Sequence, residues 1–203
     1  MTTVGTGAYT YELVDDWAQL PAGWTLGQTG IVTDARDRVY LFNRSAHPLI
    51  VLDREGAFLT SWGEGVLSSA HGMFIDPQEN LYLPVINSHV VLKYSSSGNL
   101  LMTLGTWDTP SATGWSGNYR DPVKQAAGPF HRPSDVAIAP TGEIYISDGY
   151  GNARIHRFAP DGTLQKSWGT PGKSAPGEFH VPRLHTTRVL LLSLIAHPDI
   201  VGR

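Results

Sequence analysis

Residues 134–169 read SDVAIAPTGEIYISDGYGNARIHRFAPDGTLQKSWG. Short β-branched and aromatic runs such as Ile144-Tyr145-Ile146 are cut at close intervals by Gly, Pro and Asp, the punctuation of brief strands joined by tight turns. The same pattern is written twice more upstream, as GIVTDARDRVYLF (30–42), LIVLDREG (49–56) and AFLTSWG (57–63), then as HGMFIDPQENLYLP (71–84), VVLKYSSSG (90–98) and NLLMTLG (99–105). Tyr40, Tyr82 and Tyr145 align, as do Gly56, Gly98 and Gly162. The interval is 42 residues from Tyr40 to Tyr82 and 63 from Tyr82 to Tyr145, so one repeat carries an insertion.

A period near 42 with four strands per unit predicts an all-β chain of β-propeller blades, each a four-stranded sheet packed face to face on its neighbours. About three complete blades are legible. The repeat region spans 30–182, after an N-terminal segment 1–29 and before an out-of-pattern tail 183–203. The insertion, 107–131, is rich in Gly, Pro, Trp and Asn and without period, which predicts a long loop on one face, where repeat scaffolds often carry function. A fourth unit opens at GEFHVP (177–182) and then loses its Asp turn, its Gly and its alternation. The expectation is a chain truncated or altered after residue 182, whose unclosed blade edges favour self-association.

Composition excludes several classes. With 15 Lys+Arg against 18 Asp+Glu and a net charge of −3, there is no basic stripe for a phosphate backbone, and nucleic acid is not an expected partner. Zero Cys removes disulfide frameworks, thiolate zinc sites and a thiol nucleophile. The first 17 residues hold no Lys or Arg and no apolar run. The apolar run Val189–Ala196 is far shorter than the ~20 residues of a membrane span. No membrane association and a cytoplasmic default follow as expectations.

The stretch FHRPSDVAIAPTGEIYISDGYGNARIHRFAPDGTLQKSWGTPG (130–172), with GEFHVP after it and HGMFIDP (71–77) before it, resembles the NHL-repeat propeller of peptidyl-α-hydroxyglycine α-amidating lyases. That resemblance covers roughly 30–182, and its specific part is SDGYGNARI. It implies a six-bladed ring with zinc and calcium along the channel, cleaving a hydroxyglycine-extended peptide to an amide and glyoxylate. By position, it implies that His71 is a zinc ligand, that Ile31 and Met73 bind calcium through backbone carbonyls, that Arg44 is an active-site arginine, and that Tyr150 is the base. The implied partner is a peptide or small carboxylate. The chemistry suits these residue types: a base must take the carbinol proton, and an arginine fork matches the terminal carboxylate. One departure stands out. The second zinc histidine of the family follows the VP of its FxVPH phrase, where this chain has Arg183, and arginine does not ligate zinc. The alternative is therefore a non-catalytic NHL propeller that binds a protein or peptide.

Other residues have plainer expectations. Trp62 and Trp168 recur before Gly as aromatics between blades, and Trp24 and Trp115 fall outside the repeat. Asp148 and Asn152 are expected to brace the loop around Tyr150 through side-chain to backbone bonds. The remaining histidines show no ligand spacing and read as surface or loop residues.

Overall fold

A computed structural model describes residues 2–187 and 190–195, in which there are strands and no helix. A hairpin of β1 (Thr2–Thr6) and β2 (Tyr9–Leu13) comes first. The first blade is β3 (Thr29–Thr33), β4 (Val39–Asn43), β5 (Leu49–Leu52) and β6 (Phe58–Trp62). The second is β7 (Phe74–Ile75), β8 (Leu81–Val85), β9 (Val90–Tyr94) and β10 (Leu100–Gly105). The third is β11 (Asp135–Ile138), β12 (Ile144–Asp148), β13 (Arg154–Phe158) and β14 (Leu164–Trp168). Each blade is an antiparallel meander of four strands in sequence order, as the repeat predicts.

The three copies match in backbone detail. A register shift recurs between the third and fourth strands, at Val51/Leu52, Leu100/Met102 and Arg157/Phe158. The left-handed turn residue before each fourth strand is Gly56, Gly98 or Gly162, with φ of 86°, 82° and 88°. At Gly56 a side chain is barred twice over, because its Cβ would lie 1.9 Å from the Trp17 carbonyl oxygen.

Strands inside a stack of blades are covered on both faces, so β4 and β8 are buried at every residue. On β4, Tyr40 and Phe42 face the second blade and pack with Leu81, Leu83 and Leu92. Val39 and Leu41 point the other way, under Trp17, Ala18, Leu20 and Trp24 of the N-terminal segment. That segment therefore covers the outer face of the first blade, and a parallel bridge from Gln19 to Ala57 ties it to the edge. The second and third blades close on Tyr82, Val91, Phe130, Ile144 and Ile146. Burying each such side chain contributes about 1.5–3 kcal/mol. Trp62 packs against Tyr94 at 5.0 Å, and Trp168 lies edge-on to Tyr145 at 6.1 Å within the cluster that joins Phe179 and Leu184.

The insertion 107–131 contains no strand. It is anchored by Thr113, which is fully buried and donates to the Gly151 carbonyl at 2.6 Å, and by Phe130, which sits in the core between the second and third blades. Beyond the third blade, β15 (Thr170–Pro171) pairs in parallel with β16 (Glu178–Phe179). Over the part of the tail described, β17 (Pro182–Thr187) pairs antiparallel with β18 (Leu190–Ile195), and β17 runs beside β11 and β12. Backbone pairing needs a neighbouring strand and a β-compatible sequence, not alternation, and TTRVLLLSLI satisfies both. Val189 and Ala196, at the ends of the apolar run, lie outside the described residues. No helix among the described residues is long and apolar enough to cross a membrane.

Candidate functional site

The innermost strands bring one repeat position round the channel: His71 before β7, Ser134 before β11 and Arg183 in β17. The residue two places earlier is left-handed in all three copies, Ser69, Arg132 and Val181, with φ of 53°, 65° and 53°. None is glycine, and for the β-branched Val181 this conformation is costly.

These elements converge on one phenol. The Tyr150 hydroxyl is 2.9 Å from His71 Nε2 and accepts a hydrogen bond of 2.8 Å from Arg183 Nη2. His71 Nδ1 lies 2.8 Å from the Ser134 carbonyl oxygen, which can only accept, so Nδ1 carries the proton and Nε2 is an acceptor. The phenol proton therefore lies on the line from Tyr150 to His71. Burial, with Arg183 and Arg44 adding repulsion against the bond to Ser134, pushes the His71 imidazole down to about 4, and it is neutral near pH 7. Asp135 occupies the place that Gly30 and Gly72 hold in the earlier repeats. Burial raises its carboxyl to about 7, although Arg183 pulls in the opposite direction. Gly72 makes room for it, since a Cβ there would lie 1.7 Å from Asp135 Oδ1.

Tyr150 lines a cavity of about 830 Å³, together with Arg44, Arg132 and Arg183. Arg44 is tied by its Nε to the Ala70 carbonyl at 2.6 Å. Arg132 donates its backbone N–H to His89 Nδ1 at 3.1 Å and holds its guanidinium over Trp115, 5.0 Å from the ring centroid. Burial and the charge of Arg44 lower its proton affinity. The insertion forms part of the wall through Trp115, Tyr119 and Arg120, whereas Trp24 stacks on His47 away from it. Asp148 and Asn152, which flank Tyr150 in the sequence, are both buried. Asp148 accepts from the His131 N–H at 2.9 Å and from Asn152 at 2.8 Å, and Asn152 Oδ1 accepts from the Ala127 and Ala153 N–H groups.

Of the residues singled out in the sequence, His71, Arg44 and Tyr150 thus belong to one neighbourhood. Ile31 on β3 and Met73 beside β7 lie on neighbouring inner strands, off the cavity wall. Sequence reasoning missed Arg132 and Asp135; the available signals were a charged residue at a blade start and an acid where the repeat has Gly. His156 is a correction: it is fully buried in β13, between Ser167 Oγ at 2.7 Å and Asp148 at 3.4 Å. A histidine on a strand packed between two blades cannot reach the surface.

Among the described residues, the donors do not match the metals that the resemblance implies. Catalytic zinc normally takes three protein ligands, and the described residues contain no group of three His, Cys, Asp or Glu able to hold an ion. His71 Nε2 faces a phenol, and the position of the second histidine holds a cation. Two carbonyls, from Ile31 and Met73, fall well short of the six to eight oxygens of calcium.

Comparison with known proteins agrees with the repeat. The NHL-repeat family model matches residues 130–158. The chain is 29% identical over 228 aligned positions to the peptidylglycine alpha-amidating monooxygenase of Rattus norvegicus, covering 96% of this chain and 21% of that protein. It is 29% identical to a probable peptidyl-alpha-hydroxyglycine alpha-amidating lyase of Caenorhabditis elegans, over 75% of this chain and 39% of the relative. The human NHL repeat-containing protein 3 is 28% identical over 85% of this chain and 49% of its own length. The chain therefore spans half or less of these relatives. Among solved structures, a streptogramin B lyase superposes with a TM-score of 0.53 at 14% identity, over 77% of this chain and 43% of that one. A virginiamycin B lyase from Staphylococcus aureus gives 0.54 at 13% identity, over 80% and 46%. The chain carries an NHL repeat at residues 130–158, is built of β-propeller blades, and is similar in sequence to lyases of the amidating kind. Its relatives include named amidating lyases.

Proposed function

We propose that the cavity takes an α-hydroxyglycine-type carboxylate and that the chain acts as a carbon–nitrogen lyase of the amidating kind, releasing an amide and glyoxylate. The observation that carries this reading is the Tyr150 hydroxyl, held between His71 Nε2 and Arg183 on a wall shared with Arg44. In the reaction the carbinol O–H gives up its proton, the C–N bond breaks with its electron pair going to nitrogen, and nitrogen takes a proton. Tyr150 is the group placed to take the carbinol proton as it passes its own proton along the hydrogen bond to His71 Nε2, and the same relay run backwards returns a proton to the leaving nitrogen. Arg183 offsets negative charge at the phenol oxygen. Arg44 pairs with the substrate carboxylate. No step of this scheme uses a metal. Zinc and calcium are implied by resemblance alone, and elemental analysis of wild type and His71→Ala tests whether zinc is retained.

The test of activity is glyoxylate release from N-benzoyl-α-hydroxyglycine. Release by the wild type, lowered at least about 100-fold in Tyr150→Phe, supports the reading; no release by the wild type overturns it. A second reading, a propeller that binds a carboxylate without turning it over, is favoured by the guanidinium of Arg183 where the lyases' pattern has a histidine.

A further inference from the structure

The cavity is cationic out of proportion to the chain. Arg44, Arg132 and Arg183 line it with Arg120 and Lys173, and no Asp or Glu does, although the protein carries a net charge of −3. Among the described residues, none of these five cations is salt-bridged to a carboxylate. The Nε atoms of Arg132 and Arg183 are buried without a hydrogen-bond partner. Gathering like charges in a partly dry site is unfavourable unless a counter-charge arrives, so the arrangement is one that a bound anion completes.

A single carboxylate leaves much of this charge unanswered. Arg132 reaches the wall from the start of the third blade and Arg183 from β17, and each guanidinium is held over its own aromatic ring, Trp115 at 5.0 Å and Tyr150 at 5.6 Å. Two forks on separate rings suit two separate planar anions. The same wall also carries the apolar Ile86 and Val181, and about 830 Å³ is the volume of a pocket for a whole small molecule rather than a five-atom ion. The strained backbone at Arg132 and Val181, both on this wall, is the kind found where positioning matters.

We propose that this cavity recognises an organic dicarboxylate, with one carboxylate on the Arg44 and Arg183 side, by Tyr150, and the second on Arg132 beside Trp115. This deepens the lyase reading and rests on it for the identity of the first group: the α-hydroxyglycine carboxylate is one anion, and the acyl half of the substrate carries the other.

The test is calorimetric titration of the full chain, at fixed ionic strength, with glutarate, butyrate and inorganic phosphate. Glutarate is expected to bind at least about tenfold more tightly than butyrate, the scale of one charge-assisted pair. Arg132→Gln should abolish that preference, and Arg132→Lys should keep part of it. Arg36→Gln, on the exposed turn of the first blade, should leave it intact. Melting curves establish that each variant is folded. Equal binding of glutarate and butyrate, or no binding of either, overturns the proposal, as does phosphate binding more tightly than glutarate or a preference that survives Arg132→Gln. Neither ligand can react, so a glutarate preference without glyoxylate release sinks the lyase reading alone, and release without the preference sinks only the dicarboxylate.

Discussion

The faces between blades and the channel at their inner edge are built from the same repeats and obey different rules. Between the first two blades the buried cluster is built of Leu, Val, Phe, Tyr and Ala side chains, and Leu83 and Leu92 are fully buried. In the channel one backbone position holds His71, then Ser134, then Arg183, three chemistries on one scaffold. The difference teaches that the repeat protects what packs, while the inner edge, where strands end against open space, is left to vary with function.

The largest way to test that contrast is to excavate the packed side. Leu83→Ala, in the buried β8, should lose about 2–5 kcal/mol of stability in chemical denaturation. Thr29→Ala, at the corresponding channel position of the first blade, should stay within about 0.5 kcal/mol. Comparable losses at the two sites would remove the distinction.

Gly72→Ala probes the seam between the two regions, because the new methyl must displace the Asp135 carboxylate. It should cost about 1–3 kcal/mol. The double change with Asp135→Gly should recover most of it, and an additive double mutant would show that the contact is not what Gly72 serves.

Acid and base should separate the channel's two titrating groups, which act in opposite senses. His71 is pushed down to about 4 from 6.5, so the native state binds fewer protons than the unfolded chain, and its contribution is lost as pH falls from 6.5 toward 4. Asp135 is pushed up to about 7 from 3.8, so its contribution is present in acid and declines as pH rises from 3.8 to 7. Melting temperatures of Asp135→Asn relative to wild type should therefore rise between pH 4 and pH 8, while His71→Gln should flatten the acid limb. A pH-independent offset in both would contradict the assigned burial.

The smallest expected effect is on the covered outer face. Gln19→Ala removes a side chain exposed beside the first blade and leaves the Gln19 N–H to Gly56 carbonyl bond of 2.9 Å in place, so stability should change by less than about 0.5 kcal/mol. Trp17→Ala should cost several times more, because Trp17 packs on the face formed by Val39 and Leu41.

The blades were legible because a strand sandwiched between blades leaves a periodic record. Alternating apolar residues on Tyr40-Leu41-Phe42 serve two different faces, and Gly56, Gly98 and Gly162 are required by left-handed turns. The pairing of the tail and the cover over the first blade were not legible. Neither the TTRVLLLSLI run nor the stretch from Trp17 to Trp24 repeats, and what each touches depends on where neighbouring strands end.

By itself, then, the sequence determined the blades, their strand order and turns, since local periodicity and special backbone conformations are written residue by residue, while His71, Arg44 and Tyr150 stood out only through the resemblance to the amidating lyases. Only the tertiary structure decided that Arg132 and Arg183 join Arg44 and Tyr150 on one cavity wall and that Asp135 faces Gly72. Those encounters join residues tens of positions apart in the chain, and they exist only once the blades have turned their inner edges toward a common channel.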